Sequence, residues 1–276
     1  MPEGPEIYRA AAMLDAALAG RIARRLHLAR ADLHARARPL EGRRIVSVRA
    51  RGKAILTRFE GDRYIYSHNQ LYGRWQVSED GGQPEFRRSL RLAIHTGGPA
   101  AFLYSASDIA IMEETDLATH PYLARLGPDL LDPAVDEALV LSRLEDPRFA
   151  RRGLVALLQD QRFLAGIGNY LAAEILHHCR LHPAARLREL DNERIHALAD
   201  SCLALPRQSL ATGGITNTLS RAAALQQRGA DLETARFLVY RRAGLPCYRC
   251  GRPIEKARFV GKTTYWCPTC QARDGC

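Results

Sequence analysis

At 276 residues, 46% of them hydrophobic, the chain exceeds a usual single domain and can bury a good core, so two or three units are expected. No stretch nears the roughly eighteen apolar residues of a membrane span, and no basic region followed by an apolar one opens the chain, which leaves out a spanning helix and a secretory signal. The formal net charge of +10 favours a polyanion, nucleic acid first, over an acidic small molecule, although a merely soluble basic protein fits the charge as well.

The chain opens MPEGPEIYRAAAMLDAALAG. Ile7, Ala11, Leu14 and Leu18 recur at helical spacing and Gly20 sits where a C-terminal cap belongs, which predicts a helix packed on a core. Pro5 and Glu6 suit its first turn, since proline there gives up no hydrogen bond and an acidic side chain complements the helix dipole. Pro2 and Glu3 are left without such a reason. From about Arg44 to Ser105 the period becomes two, with Val46, Val48 and Ala50 and then Leu90, Leu92 and Ile94 alternating with polar or small residues. Glu60-Gly61-Asp62, Gly81-Gly82 and Gly97-Gly98 punctuate these runs, so several short strands at hairpin spacing predict an antiparallel sandwich or barrel. Gly127-Pro128 to Pro133 marks a junction, and from Pro133 to Pro206 the pattern is helical, with Leu154, Leu157, Leu158, Leu171 and Ile175 on apolar faces. After Gly213-Gly214, residues 215 to 237 are polar and Ala-rich with no firm pattern. No internal repeat is present.

The last segment concentrates both charge and cysteine. From Arg241 onward eight lysines and arginines face only Glu255 and Asp274, and five of the seven cysteines lie here. The spacing Cys247-x2-Cys250-x16-Cys267-x2-Cys270 makes two tight knuckles whose four sulfurs satisfy a tetrahedral zinc ion. An odd cysteine count with no signal peptide argues against a disulfide framework and for a reducing cytoplasm; Cys179 and Cys202 fall on apolar helical stretches and read as buried thiols. Between the knuckles, Gly261 among Phe259, Val260, Thr263, Thr264 and Tyr265 predicts a small hairpin with Lys262 at its tip.

Four further stretches each admit two readings. Leu164 to Tyr170 enters a helix through Gly166, Gly168 and an Asn169 at the capping position; exposed amides there form a phosphate site or merely start a capped helix. Lys53 follows Gly52 at the head of a strand, as a solvated charge if taken by itself. Ser67 to Trp75 places Leu71 and Tyr72 in a polar turn, where they wedge into a base stack or face a core. Removal of Met1 would leave Pro2 with a secondary amine, which attacks a sugar C1′ to give an iminium that is cationic without protonation, an electron sink for β-elimination. An α-amino group of ordinary pKa, about 7.7 to 8.0, keeps a useful neutral fraction at pH 7, and Glu3 alongside could move the proton. The alternative is a helix entry and nothing more.

Taken together and in this order, PEGPE at 2–6, RGKA at 51–54, SHNQLYG at 67–73, HPYLARLGPD at 120–129, LAGIGNY at 164–170 and the four-cysteine tail resemble the formamidopyrimidine-DNA glycosylase and endonuclease VIII family over nearly the whole chain. Asn69 to Tyr72 looks most like endonuclease VIII, the branch acting on oxidised pyrimidines. The resemblance implies an α+β multidomain fold: an N-terminal antiparallel β-sandwich with an N-terminal helix, over 1–127; a helix-two-turns-helix domain over 128–214; a variable connection over 215–237; and a zinc-finger hairpin over 238–276. DNA carrying a damaged base or an abasic site would lie between the two lobes, bound by a monomer in a bacterial cytoplasm and nucleoid. By the same resemblance Pro2 is the nucleophile, Glu3 the proton donor and Lys53 a proton donor during β-elimination. Gln70, Arg125 and Asn169 match DNA-contacting positions, Leu71 with Gln70 and Tyr72 fills the gap left by the extruded base, and Cys247, Cys250, Cys267 and Cys270 hold one structural Zn²⁺. Such a filler has a physical reason: C1′ cannot meet an amine inside the stack, so the nucleotide must leave it.

One departure stands out. Where the family hairpin carries an arginine linked to δ-elimination, five residues before the third cysteine, this chain has Lys262. Two rivals remain open at this level, an oxidised-purine glycosylase and a non-catalytic zinc-finger DNA-binding protein. Lesion duplexes separate the first, and the mass of the N-terminus the second.

Overall fold

The computed structural model describes residues 2–273, so Met1 and Cys276, whose processing and role the sequence leaves open, lie outside the described residues. Two compact units divide the chain, one holding Pro2 and Glu6–Arg125, the other Glu3–Pro5 and residues 126–273.

In the first unit, α1 (Gly4–Leu18) is followed by β1 (Arg25–Leu28), α2 (His34–Ala37), β2 (Ile45–Arg51), β3 (Ala54–Phe59), β4 (Arg63–His68), β5 (Arg74–Ser78), β6 (Leu90–His95), β7 (Ala100–Tyr104), β8 (Asp108–Glu113) and α3 (Glu114–Leu117). The strands form two antiparallel sheets, β1-β6-β7-β5 and β2-β3-β4-β8. Val48, Ile55 and Ile65 of one sheet share a core with Leu92, Ile94 and Leu103 of the other, and Ile7, Ala11, Leu14 and Leu18 of α1 join it. This is the expected sandwich with its N-terminal helix. The simple alternation fails at two places. The register of β2 shifts between Ile45 and Ser47, which throws Val46 out of the core to 43% exposure, because an extra residue in one strand reverses the faces that follow it. A second shift, between Leu90 and Leu92, sends Leu90 to the opposite face, where it packs with Ala93 and Phe102.

The second unit contains α4 (Glu137–Leu144), α5 (Leu154–Leu158), α6 (Asn169–His178), α7 (Asn192–Ala211), α8 (Leu219–Gln227), α9 (Leu232–Ala235) and a hairpin of β9 (Glu255–Phe259) and β10 (Lys262–Trp266). Leu154, Leu157, Leu158, Leu171 and Ile175 pack with Leu198 and Cys202 in one core. Asp136 and Asp191 cap α4 and α7, each accepting a backbone N–H at 2.9 Å. Two expectations need correction. Helix α7 runs through Pro206 to Ala211, with Leu205 and Pro206 buried, so packing of that face outweighs the missing hydrogen bond. The stretch 215–237, featureless in sequence, forms α8 and α9; α8 buries only Ala222 and therefore shows no apolar stripe. Among the described residues no helix is long and apolar enough to cross a membrane.

Candidate active site and metal centre

The first amides of α6 need acceptors, and a side chain 165 residues away supplies them. Glu3 is buried, and its carboxylate accepts from the N–H of Gly168 (2.7 Å), Tyr170 (2.8 Å) and Leu171 (3.2 Å). Glycine is required for this approach. A Cβ on Gly168 would stand 2.4 Å from Glu3 Cδ, and Gly166 adopts φ +97 while its carbonyl receives the Gly4 N–H at 2.8 Å. The capping position is therefore Gly168, not Asn169, and the helix start holds the chain's own carboxylate rather than lying open for a phosphate. Asn169 is the first helical residue, and its Oδ1 is buried without a partner among the described residues.

In the first unit, Gly52 (φ +60) and Lys53 form the two-residue turn between β2 and β3. Lys53 is buried, not solvated, and its N–H donates to the Tyr122 hydroxyl at 2.8 Å. Strand pairing sets Ala54 opposite His68, and Tyr122 meets the His68 ring edge-on at 5.2 Å. Burial holds the His68 imidazole below its ordinary value; Asp108 pushes it up and Lys53 pushes it further down. A neutral ring fits its contact, since Nδ1 accepts the Gln70 N–H at 3.0 Å.

The next four residues make a tight turn. Gly73 N–H donates to the Asn69 carbonyl at 2.7 Å, and a Cβ at Gly73 would come within 2.4 Å of that oxygen. Gln70 sits at φ +53 with Oε1 accepting from the Ser107 amide (3.3 Å) and hydroxyl (3.1 Å), and Arg88 donates to the Tyr72 carbonyl at 2.6 Å. The backbone is pinned while the side chains are presented: Leu71 is 52% and Tyr72 66% exposed, so neither faces a core. Arg125 is exposed at the end of a 3₁₀ turn, Leu123–Arg125.

At the far end of the chain the sulfurs of Cys247, Cys250, Cys267 and Cys270 all lie within 4.8 Å of one another. Cys247 and Cys270 are 3.9 Å apart, Cys250 and Cys267 3.4 Å, near the roughly 3.8 Å edge of a tetrahedron with about 2.3 Å metal–sulfur bonds. Knuckle amides support the sulfurs, Arg249 N–H on Cys247 at 3.5 Å and Cys270 N–H on Cys267 at 3.4 Å. The Arg252 amide draws the Cys250 thiol down to about 7, while burial pushes the Cys267 and Cys270 thiols up. The donor set fits zinc.

The hairpin turns at Val260 (φ +48) and Gly261 (φ +78), and register pairs Lys262 with Phe259 but Thr263 with Arg258. Residues directly opposite share a face, so Lys262 and Arg258 leave the ribbon on opposite sides, and Arg258 Nε is further tied to the Gly261 carbonyl at 3.3 Å.

Sequence reasoning missed Glu174. Fully buried in α6, it accepts from the N–H of Leu238 (2.7 Å), Val239 and Tyr240 (2.8 Å each) and from the Thr216 hydroxyl (2.8 Å). Burial raises its carboxyl, while those four donors all pull toward the ionised form. An acidic residue within an otherwise apolar helical run was its only signal. The structure thus collects Lys53, Gln70, Leu71, Tyr72 and Arg125 with Pro2 in one unit, and Glu3, Asn169, the four cysteines and Lys262 in the other.

Comparison with known proteins agrees with this architecture. Residues 1–105 match the formamidopyrimidine-DNA glycosylase N-terminal domain, 126–221 its H2TH domain, and 244–273 the zinc finger found in FPG and IleRS. The chain is 43% identical over 271 residues to Endonuclease 8 of Shigella sonnei (strain Ss046) and to that of Escherichia coli O9:H4 (strain HS), covering 98% of this chain and 100% of each relative. Among solved structures it is similar in fold to Lactococcus lactis Fpg in complex with N7-benzyl-Fapy-dG DNA (TM-score 0.80, 22% identity, 99% of this chain and 100% of the other). MutM in complex with DNA containing carbocyclic 8-oxo-G is similar too (TM-score 0.82, 21% identity, 99% and 100%). Three matched domains in order and identity along the full length establish that the chain belongs to the formamidopyrimidine-DNA glycosylase and endonuclease VIII family, as a DNA glycosylase with abasic-site lyase activity in base excision repair.

Proposed function

We propose that this chain excises oxidised pyrimidines from duplex DNA through an imine on Pro2 and then cleaves the strand by β- and δ-elimination. The observation that carries the chemistry is the Glu3 carboxylate clamped by three amides at the start of α6, because it fixes the residue bonded to Pro2. The Pro2 nitrogen, exposed by removal of Met1, forms a bond to C1′ as the bond from C1′ to the base breaks; Glu3 takes the proton the nitrogen loses and donates it to the leaving base, and the C1′–O4′ bond then breaks, O4′ taking a proton from solvent, to leave the iminium. The iminium then acidifies the C2′ proton, whose loss expels the 3′ phosphate; Lys53, buried beside His68 and Tyr122, serves this step as proton donor. Gln70, Leu71 and Tyr72 stand on a pinned turn as the filler of the vacated stack, with Arg125 and Asn169 on the DNA backbone. We assign the segments 1–127, 128–214, 215–237 and 238–276 as catalytic sandwich, helix-two-turns-helix domain, connection and zinc finger, and take the protein to act as a monomer in the bacterial cytoplasm, bound to nucleoid DNA.

The lesion class rests on Asn69 to Tyr72, which looks like that of endonuclease VIII. Single-turnover excision from a thymine glycol duplex is expected to outpace that from 8-oxoguanine opposite cytosine. A reversed order moves the chain to the purine branch.

One structural zinc ion is assigned to Cys247, Cys250, Cys267 and Cys270. Cys250→Ser is expected to lose the metal and DNA affinity while the sandwich, which has its own core, keeps its melting transition. Full metal content in the variant contradicts the assignment.

Lys262 is assigned the phosphate contact on the hairpin. An arginine fork grips a phosphate through two hydrogen bonds where lysine offers a point charge, so δ-elimination is expected to lag behind β-elimination. Lys262→Arg should speed the δ step by about tenfold, the equivalent of one further charge-assisted hydrogen bond of about 1.5 kcal/mol. Arg258 faces the other side of the ribbon, so Arg258→Ala should leave the ratio of 3′ ends on a sequencing gel unchanged. Complete δ-elimination by wild type, with no response at position 262, refutes the role.

A further inference from the structure

The cysteine cluster has a polar neighbour outside its own knuckles. His177, in the last turn of α6, is fully buried, and its Nε2 lies 3.5 Å from Cys247 Sγ. Its other nitrogen, Nδ1, is buried with no partner among the described residues. The same turn is gripped by Arg249, which donates to the carbonyls of His177 (3.3 Å) and His178 (3.2 Å), and whose own N–H points at Cys247 Sγ. On the second knuckle Gln271 donates to the Leu181 carbonyl and accepts the Cys267 N–H, both at 2.9 Å. The cluster is thus fastened to one end of one helix.

Counting protons fixes the direction of the contact. A metal-bound Cys247 has lost its proton and can only accept, so Nε2 must carry the hydrogen. The other tautomer would bury an Nδ1–H with no acceptor and set two lone pairs against each other. Orphaned buried N–H groups are the rarer kind, whereas a lone pair left over on Nδ1 is tolerated. We propose that His177 is an outer-sphere positioning residue of the metal centre: its Nε2–H donates to the Cys247 thiolate and locks the first knuckle to the C-terminal turn of α6. This rests on the zinc reading of the four cysteines. It does not follow from their spacing, since a histidine 70 residues before Cys247 belongs to no knuckle pattern.

The test uses the full chain. Elemental analysis of the wild type comes first, and protein purified in zinc medium without metal would overturn the zinc reading itself. With metal present, chelator competition is run on wild type, His177→Phe and His177→Gln. Outer-shell partners of this kind typically change metal affinity about 10–100-fold, so His177→Phe, which fills the space without a donor, should weaken binding by that factor. In the cobalt-substituted proteins the thiolate-to-metal band should move to longer wavelength in the phenylalanine variant, because a thiolate that loses a hydrogen bond gives up its electrons more easily. His177→Gln keeps an N–H and should restore most of both. Equal weakening by the two substitutions with an unmoved band, or affinity within twofold of wild type for phenylalanine, overturns the proposal and leaves the zinc site standing. Nitrogen NMR of histidine-labelled, metal-loaded wild type decides independently of how the variants fold: Nε2–H is expected, and an Nδ1–H tautomer overturns the assignment.

Discussion

Pro2→Ala is expected to cut borohydride trapping of a covalent protein–DNA adduct by about a hundredfold or more while leaving DNA binding near wild type. The substitution keeps an amine at the same place in the chain, so the loss isolates what proline adds. A primary amine gives an imine that is an electron sink only when protonated, whereas the proline iminium carries its charge permanently. The ring also removes one backbone rotation next to the clamped Glu3, and misplacing an attacking atom by about 1 Å can alone cost about a hundredfold. Trapping is read on a denaturing gel and binding by mobility shift with an uncleavable abasic analogue. Equal trapping by the two proteins sinks the Pro2 mechanism.

Glu3→Gln should separate the two activities. Base release should fall by roughly 10²–10⁴, the usual contribution of a positioned general acid, whereas cleavage of a preformed abasic site has no base to protonate and should persist. The geometry adds a structural cost. Glu3 accepts through both oxygens, so a glutamine must turn its amide hydrogens toward the N–H of Gly168 and Leu171 or toward that of Tyr170. One side of the clamp is lost, at about 1–3 kcal/mol, and the melting temperature should drop. A variant that loses both activities in step would show that Glu3 serves only to hold the helix.

Helix α6 links these experiments. Its ten residues, about 15 Å long, hold Glu3 at the N-terminus, clasp Leu238 to Tyr240 through Glu174 in the middle, and carry the first cysteine knuckle at the C-terminus through His177 and the carbonyls gripped by Arg249. Metal removal is therefore expected to be felt by the same helix that holds Glu3.

The residues that were legible in sequence are those whose signal is local. The buried face of α1 follows from a period of 3.6, the cysteine knuckles from a gap of two, and the Lys262 hairpin from a glycine between β-branched and aromatic residues. The family motifs named Glu3, Lys53 and Asn169, whereas the residues read by themselves gave two of them the wrong surroundings: Lys53 reads as solvated and is buried, and Asn169 reads as a cap and is not one. Tertiary structure alone decided that the α6 cap comes from Glu3, that a shifted register expels Val46, that buried packing carries α7 through Pro206, and that Glu174 holds a segment 64 to 66 residues downstream. Periodicity records which face of an element is apolar. It carries no trace of a carboxylate meeting backbone amides across the chain, because every residue has an N–H and only the fold determines which of them lack a partner.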